Sequence, residues 1–260
     1  MGRPITVLKF GSSVLAREED LPRAVAEVLG ALGRGERVVA VVSALGKTTE
    51  ELLARAARLA PHPDPTALAA LLATGERASA SLLAIALAEA GVSSSLADPE
   101  RIGLRANGPH LDASPLDVDG AALRDLLETH AAVVVPGFFA RRADAAVATL
   151  GRGGSDLTAL FLAERLGARC ILVKNVDGVY DGDPAAPGAA AAVRFASLSY
   201  ADALAISTRV VQEKALRFAA ARRLPFVVGA SLARGGTTVW DGPTEKCPPD
   251  HLTILGRRLN

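Results

Sequence analysis

The stretch Thr149-Leu150-Gly151-Arg152-Gly153-Gly154-Ser155-Asp156 places three glycines, an arginine, a serine and an aspartate within eight residues. Its first two residues are the end of a run rich in Ala and Val, 145–150. Its last residue is followed by an apolar segment with helical spacing, 157–166. A strand, a glycine-rich turn and a helix are therefore expected in that order. Glycine lets a backbone approach an anion closely, and the N–H groups at a helix start favour negative charge. The stretch indicates a phosphate or carboxylate site; the alternative is an ordinary loop in which Ser155 or Asp156 caps the helix.

Strand and helix patterns alternate along the whole chain. Apolar, β-rich runs predict strands at 5–10, 37–42, 92–96, 131–135, 145–150, 170–173, 226–228, 237–240 and 252–255. Helical spacing predicts helices at 21–32, 49–59, 68–90, 120–130, 157–166, 200–206 and 209–222, with a break in the third near Thr74-Gly75. The polar segment 103–119 is expected to be irregular and close to the ligand. This alternation predicts an α/β protein, a mainly parallel sheet with helices on both faces.

Composition narrows the class of protein. The 260 residues are 50% hydrophobic and 22% charged, with a formal net charge of +1, which does not favour a general nucleic-acid or membrane-surface role. Two cysteines, Cys170 and Cys247, support neither a disulfide framework nor a zinc site. No apolar run is expected to reach the length of a membrane span, so a soluble cytoplasmic protein is the expectation.

Polar clusters follow several predicted strands, at Gly11-Ser12-Ser13, Ser43 to Thr49, Pro136-Gly137-Phe138 and Gly151 to Asp156. In parallel sheets the ligand lies outside the carboxyl ends of the strands, so these clusters are expected to meet there. Two nucleotide-binding motifs are excluded. A P-loop would need glycine at Val41, and the dinucleotide motif GxGxxG would need glycine at Asp156.

Three further features contain residues that could bind a ligand. Lys9 ends a strand and could hold its ammonium over a phosphate; the alternative is a solvated strand-edge lysine. Glu76 lies in a long apolar helix and could bind a substrate amine; the alternative is a solvated residue paired with Arg77 or Arg105. The segment 175–180 could hold a base or ribose, and its alternative is a plain β-turn at Asp-Gly.

Taken together, these motifs resemble one family. The blocks occur in the order Lys9 to Ser13, Val41 to Thr49, Gly75-Glu76, Pro136 to Phe138, Thr149 to Asp156, and Val176 to Tyr180 with Asp183-Pro184. Their order and content are similar to the catalytic domain of aspartate kinases, in the amino acid kinase superfamily. The resemblance covers nearly the whole chain. The Thr149 to Asp156 block is specific to the aspartate kinase branch, whereas the others are shared more widely within the superfamily.

The resemblance implies a three-layer αβα sandwich formed by one amino acid kinase domain, 1–260. Its N-terminal lobe, 1–147, would hold the amino acid, and its C-terminal lobe, 148–260, would hold the nucleotide. The implied reaction is ATP-dependent phosphorylation of the side-chain carboxylate of L-aspartate to 4-phospho-L-aspartate, with ATP and Mg²⁺ as cofactors, in amino-acid biosynthesis. The nucleophilic carboxylate is already ionised at neutral pH, so no general base is needed. Alignment and charge neutralisation would drive the transfer.

The resemblance also assigns residues to roles. Lys9 would stabilise the transferring γ-phosphoryl group, and Asp156 would orient the cations of the site. The amino acid would be bound by Ser43, Thr49, Glu76, Arg152 and Ser155, with Arg152 on the α-carboxylate and Glu76 on the α-amino group. ATP would be bound by Gly11, Ser12, Ser13, Gly137, Gly153, Asn175, Val176, Gly178, Tyr180, Asp183 and Arg209. No side chain is expected to ligate a metal directly.

The chain departs from the family pattern mainly on the nucleotide side. Ser12 replaces the usual second glycine, Val14 a serine, Asn175 an aspartate, Ala185 an arginine and Arg209 a lysine. Arginine keeps the charge of lysine but not the geometry of its ammonium group. These differences bear on nucleotide affinity and nucleotide choice, whereas the amino-acid half of the site keeps the family residues.

Three hypotheses about the function remain. The first is an aspartate kinase; because the chain ends near the end of the kinase domain, no C-terminal ACT regulatory domains and no feedback inhibition by lysine or threonine are expected. The second is a kinase for another amino acid carboxylate, such as glutamate or a modified aspartate. The third is a catalytically weak regulatory subunit. The expected protein partners are a second copy of the chain, in a homodimer, or a dehydrogenase of the same pathway. Neither a nucleic acid nor a membrane is expected as a partner.

Overall fold

The computed structural model describes residues 3–182, 192–206, 211–231 and 235–248. Its strands are β1 Ile5–Phe10, β2 Arg37–Val42, β3 Ser94–Leu96, β4 Arg105–Asn107, β5 Ser114–Asp117, β6 Ala132–Pro136, β7 Phe139–Arg141, β8 Val147–Thr149, β9 Arg169–Val173, β10 Phe195–Ser199, β11 Phe226–Ser231, β12 Gly235–Trp240 and β13 Glu245–Lys246. Its helices are α1 Leu21–Gly33, α2 Thr48–Leu59, α3 Pro65–Glu89, α4 Gly120–Thr129, α5 Gly154–Leu166, α6 Tyr200–Ala205 and α7 Glu213–Arg222. A single 3₁₀ turn, Glu18–Asp20, precedes α1 in these ranges.

The main sheet joins strands from both halves of the chain. Among the described residues it has nine strands in the order β13-β10-β12-β11-β9-β1-β2-β6-β3. β1 pairs in parallel with β2 and with β9, and β2 pairs in parallel with β6. The pairs β11–β12 and β10–β13 are antiparallel. The predicted α/β class with a mainly parallel sheet is therefore confirmed.

The central strands are buried because helices cover both faces of the sheet. In β1 and β2 every residue after the first is buried, as the near-continuous apolar sequences predict for strands between two helical layers. Val7, Val39 and Val41 point into the core that includes the apolar side chains of α5. Leu8 and Val42 point into the opposite core, which includes those of α1 and α3. The arrangement is a three-layer αβα sandwich.

The predicted break in the long helix at Thr74-Gly75 is wrong, because α3 runs without interruption. A Cβ atom at Gly75 would lie 3.0 Å from Cβ of Ala44 and 3.2 Å from a methyl of Thr48. The glycine therefore allows close packing of α3 against the segment after β2. The helix begins at Pro65, where the Asp64 carboxylate accepts the N–H of Ala67 at 2.8 Å.

The segment 103–119, expected to be irregular, contains the short strands β4 and β5. They form a second sheet with β7 and β8, in the order β5-β4-β7-β8. β7, β10 and β13 were not expected from the sequence, and the strand predicted at 145–150 is only Val147–Thr149. Strands of three to five residues are too short to show a reliable period. The strand predicted at 252–255 lies outside the described residues.

Helix α3 is also long and apolar enough to cross a membrane, judged by length and composition alone. This contradicts the expectation that no apolar stretch is that long. Half of its most apolar window is buried inside the fold, and its buried residues include Glu76 and Ser79.

Candidate active site

A cleft of about 310 Å³ opens where β1, β2 and β9 end and α5 begins. It collects predicted residues from distant parts of the chain, as expected for the carboxyl edge of a parallel sheet. The predicted residues that line it are Lys9, Gly11, Ser12, Ser13, Ser43, Thr49, Glu76, Arg152, Gly153, Ser155 and Asp156. A more apolar cavity of about 450 Å³ lies at the starts of β9 and β11 and contains none of the predicted residues.

The Asp156 carboxylate bridges two lysine ammonium groups at the base of the cleft. Lys9 Nζ lies 2.7 Å from Oδ1, and Lys174 Nζ lies 2.9 Å from Oδ2. All three side chains are nearly buried, so the solvated strand-edge alternative for Lys9 is wrong. Burial would raise the pKa of Asp156, but the two ammonium groups hold it below its usual value. Burial lowers the pKa of Lys9 even though Asp156 opposes the shift.

Lys174 is a cleft residue that the sequence analysis missed. It follows β9 directly, and its N–H donates to the Gly229 carbonyl at 2.8 Å. Phe10 of β1 is in register with Val173 of β9, so Lys174 emerges at the same sheet edge as Lys9. The sequence contained a feature that could have identified Lys174 as a cleft residue, because it stands at the carboxyl end of a predicted buried strand, as Lys9 does.

The glycine-rich turn leads into α5 without a side-chain cap. Gly153, in the left-handed region at φ +78°, is the N-cap residue, whereas Ser155 and Asp156 lie buried in the first turn. The capping alternative for these two side chains is therefore wrong. The first N–H groups of a helix have no partner within it, so this end of α5 favours an anion in the cleft.

Arg152 is exposed at the mouth of the cleft. It lies between Gly151 at φ +73° and Gly153, both in conformations that favour glycine. Within the described part of the chain, its guanidinium forms no ion pair. The group is therefore available to a carboxylate or phosphate from solution.

Glu76 is a buried carboxylate that lacks a full set of partners. It is 2% exposed, and Oε1 accepts the Ala44 N–H at 3.3 Å. Among the described residues, Oε2 has no hydrogen-bond partner. Burial raises the pKa of Glu76 to about 7, against the lowering effects of the Ala44 N–H and of Lys9.

The predicted surface alternative for Glu76 is wrong. Arg77 instead pairs with Asp98 at 3.1 Å, and Arg105 pairs with Asp117 at 2.8 Å. Neither arginine is a partner of Glu76, so its free oxygen is left for a ligand.

The first turn after β1 brings backbone close to the Lys9 ammonium. A Cβ atom at Gly11 would lie 2.7 Å from Lys9 Nζ. The Gly11 carbonyl accepts the N–H groups of Val14 and Leu15, each at 2.9 Å. Ser12 and Ser13 are exposed at the tip of this turn and line the cleft.

The other residues predicted to bind the amino-acid substrate lie on neighbouring elements. Ser43 directly follows β2, and its carbonyl accepts the Ser79 hydroxyl at 2.6 Å. Thr49 lies in the first turn of α2, at the same cleft wall.

Gly137 does not line the cleft. Its N–H donates to the Val42 carbonyl at 2.9 Å, so this amide is not free for the phosphate predicted for it. A Cβ atom there would lie 2.8 Å from Cβ of Ser155. Gly137 therefore allows close packing against the first turn of α5.

The predicted nucleotide loop continues from Lys174 but lies outside the cleft wall. It contains Asn175, Val176, Gly178 and Tyr180. The Tyr180 hydroxyl donates to Asp177 Oδ1 at 2.7 Å, and burial together with this bond raises the pKa of Tyr180 to about 12. The Val179 N–H of this loop donates to Oγ1 of Thr237 at 2.8 Å, so β12 anchors the loop. A Cβ atom at Gly178 would lie 2.7 Å from the same oxygen. Asp183 and Arg209, also predicted here, lie outside the described residues.

The described residues form no cluster of three or more His, Cys, Asp or Glu side chains that could hold a metal ion. Both oxygens of Asp156 contact lysines.

Comparisons with known proteins show which family the chain resembles. Aspartokinase 2 of Bacillus subtilis (strain 168) is 34% identical over 231 residues, which are 87% of this chain and 56% of that protein. The aspartokinase of Mycolicibacterium smegmatis is 32% identical over 255 residues, 97% of this chain and 61% of that protein. The chain thus spans less than two thirds of the length of these relatives.

Solved structures of aspartate kinases also resemble this chain. The aspartate kinase from Synechocystis superposes with a TM-score of 0.79 at 28% identity, covering 92% of this chain and 40% of that one. E. coli aspartokinase III in complex with lysine and aspartate gives a TM-score of 0.76 at 26% identity, covering 92% and 65%. The model of the amino acid kinase family matches residues 4–230. This chain, in sequence and in fold, belongs to the amino acid kinase family.

Proposed function

We propose that the chain transfers the γ-phosphoryl group of ATP to the side-chain carboxylate of L-aspartate, forming 4-phospho-L-aspartate and ADP. The observation that carries the proposal is the bridging of Lys9 and Lys174 by Asp156 beside an open cleft. The relatives support the substrate, because E. coli aspartokinase III has also been solved with aspartate and ADP, at a TM-score of 0.73 and 26% identity.

The charges in the cleft favour a phosphate. Two nearly buried ammonium groups share one carboxylate, which leaves an excess of positive charge at the base of the cleft. Buried charge is costly unless it is paired, so an anionic ligand would stabilise this arrangement. The N-terminus of α5 adds its partial positive charge at the same place. We assign the transferring phosphoryl group to this position.

The walls of the same cleft also carry the two charged side chains that an α-amino acid requires. Arg152 has an exposed guanidinium for the α-carboxylate, and Glu76 has a buried oxygen, unpaired among the described residues, for the α-amino group. Ser43, Thr49 and Ser155 lie on the same walls and would add hydrogen bonds. A bound ammonium would favour the ionised form of Glu76, so substrate binding would lower the raised pKa of this group.

The reaction then needs alignment more than proton transfer. An oxygen of the substrate carboxylate attacks the γ-phosphorus, a new P–O bond forms, and the bond to the bridging oxygen of ADP breaks. No proton moves, because the nucleophile is already ionised. Lys9 and Lys174 neutralise the charge on the phosphoryl oxygens, and Asp156 holds both ammonium groups in place. Mg²⁺ bound to the phosphates would supply further charge neutralisation.

We place the rest of the nucleotide beyond Lys174, along the loop that runs to Tyr180. Ser12, Ser13 and Gly153 would approach its phosphates from the cleft wall. In the proposed division into lobes, 1–147 provides Glu76 and 148–260 provides Arg152, so the amino acid bridges the two. The reaction would take place in the cytoplasm.

The test is ADP release from Mg-ATP by the purified chain, measured with aspartate, glutamate, N-acetylated aspartate and no amino acid. Aspartate-dependent release above the other three is the expected result. Preference for glutamate or for the modified aspartate would replace the substrate assignment. Binding of both ATP and aspartate without any release would instead indicate a regulatory subunit.

A further inference from the structure

We propose that Lys214 is a positioning residue for amino-acid binding, because it fixes the turn that presents Arg152. This inference rests on the proposed function in one respect, namely that Arg152 binds the substrate α-carboxylate. Lys214 belongs to α7 and makes no described contact with Lys9, Asp156 or Lys174.

The Lys214 ammonium joins α7 to two other parts of the chain, the segment 112–113 and Leu150. Nζ lies 2.6 Å from Asp112 Oδ1, 2.9 Å from the Ala113 carbonyl and 2.9 Å from the Leu150 carbonyl. An ammonium group has three N–H donors, so all of them are used. Leu150 is the residue just before Gly151, and the bond to its carbonyl therefore fixes the start of the turn.

The glycines on either side of Arg152 are covered by residues of the same network. A Cβ atom at Gly151 would collide with Asp112 Oδ1, the oxygen that Lys214 holds. A Cβ atom at Gly153 would collide with Gln212, the residue immediately before α7. The backbone on both sides of Arg152 is thus held by α7 and by Asp112.

Arg152 itself has space on both sides. It lines the cleft of about 310 Å³ and also an outer groove of about 530 Å³ that includes Asp112, Gln212 and Lys214. Its position is therefore set by the backbone of the turn more than by side-chain packing. Glycine-rich backbone has many accessible conformations, and ordering it upon binding would weaken affinity. Lys214 removes this cost by ordering the turn beforehand.

The experiment compares Lys214→Met with Arg217→Met on the same helix. Arg217 forms an exposed ion pair with Glu213 and provides the matched control. For Lys214→Met we expect the KM for aspartate to rise about tenfold or more, with kcat and the KM for ATP within about twofold of wild type. Lys214→Arg, which keeps the charge opposite Asp112, should recover part of the loss. An unchanged KM for aspartate, or equal losses in kcat and both KM values, would overturn the proposal.

Asp112→Asn gives a second route, because it removes the ion pair but leaves both carbonyl bonds of Lys214 intact. It should raise the KM for aspartate in the same direction by a smaller factor. Hydrogen exchange of the amides at 150–154 provides a readout that does not depend on turnover. Exchange should be faster in Lys214→Met than in wild type or Arg217→Met, and equal rates would contradict the proposal. A wild-type chain without aspartate-dependent turnover would instead contradict the proposed function, while the exchange comparison still decides the role of Lys214.

Discussion

Lys9 Nζ lies 2.7 Å from Oδ1 of Asp156, in a contact that is almost closed to solvent. The other oxygen of the same carboxylate is used by Lys174. This relationship sets both the charge and the geometry of the proposed phosphoryl site, because an ammonium that moved away would leave one oxygen of the buried carboxylate without its lysine. The second determinant of the cleft is the buried carboxylate of Glu76, whose Oε2 has no hydrogen-bond partner among the described residues.

The two lysines should be needed for turnover more than for aspartate binding. Lys9→Met and Lys174→Met are each expected to lower kcat by about 10²–10³-fold, the scale found for loss of one preorganised donor at a developing charge. The Kd for aspartate, measured by calorimetry, should change little. Lys246→Met is the matched control, since Lys246 pairs with Asp181 at the edge strand β13. A turnover number unchanged in either cleft variant would contradict the role given to that lysine.

A single methyl group at Gly11 should reduce catalysis without unfolding the protein. The added Cβ would lie 2.7 Å from Lys9 Nζ, the mobile end of a side chain, so the ammonium moves and the backbone does not. Gly11 is not at positive φ, and alanine is therefore compatible with its backbone. We expect Gly11→Ala to lower kcat about tenfold or more with little change in Tm. Gly33→Ala, where a Cβ meets no atom within 4 Å, is the control and should leave kcat unchanged.

Glu76 should make the stability of the unliganded chain depend on pH. Its pKa is about 7 in the fold and 4.5 as a free side chain. Below pH 4.5 both states are protonated. Between pH 4.5 and 7 the unfolded state loses the proton and the folded state keeps it, so stability falls as pH rises. The difference corresponds to roughly 3 kcal/mol.

Glu76→Gln removes this titration and isolates its contribution. Urea unfolding at pH 5 and pH 8 should therefore show the variant gaining stability relative to wild type at the higher pH. An equal difference between the two proteins at both pH values would mean that Glu76 is not a raised, buried carboxyl group.

The same group should control amino-acid affinity. Only ionised Glu76 can pair with an α-ammonium, so the Kd for aspartate should rise as pH falls below 7, approaching tenfold per pH unit. Calorimetric titrations from pH 6 to pH 8 would measure the slope. Glu76→Gln should bind aspartate more weakly, with a nearly flat profile over that range. A flat profile for the wild-type chain would argue against an ionised Glu76 in the complex.

Sequence patterns predicted the central layers well, for a physical reason. β1 and β2 lie between two helical layers, so their residues are almost uniformly apolar and easy to identify. The interruption predicted at Gly75 failed because the glycine serves a tertiary contact with Ala44, which local sequence does not show. The strands of the second sheet are stabilised by their pairing and carry little pattern of their own.

Some residues of the candidate site could be predicted from local sequence, and others depend on long-range contacts. Lys9 and the turn at Gly151 stand next to recognisable strand and helix boundaries, and their proximity follows from the parallel sheet. Lys174 also stands at the end of a predicted strand, but its pairing with Asp156 depends on the register of β9 beside β1, which local sequence does not show. The burial of Glu76 likewise depends on how α3 packs against the segment after β2, and an isolated helix does not specify it.

In the proposed reaction, an acyl phosphate forms on an amino acid held between Glu76 and Arg152. It can be detected by incubating the chain with Mg-ATP, L-aspartate and hydroxylamine and identifying the trapped product by mass spectrometry. We expect aspartate β-hydroxamate in amounts equal to the ADP released, and loss of the product in Lys9→Met. ADP release without any hydroxamate, or hydroxamate formation that is unaffected in Lys9→Met, would contradict it.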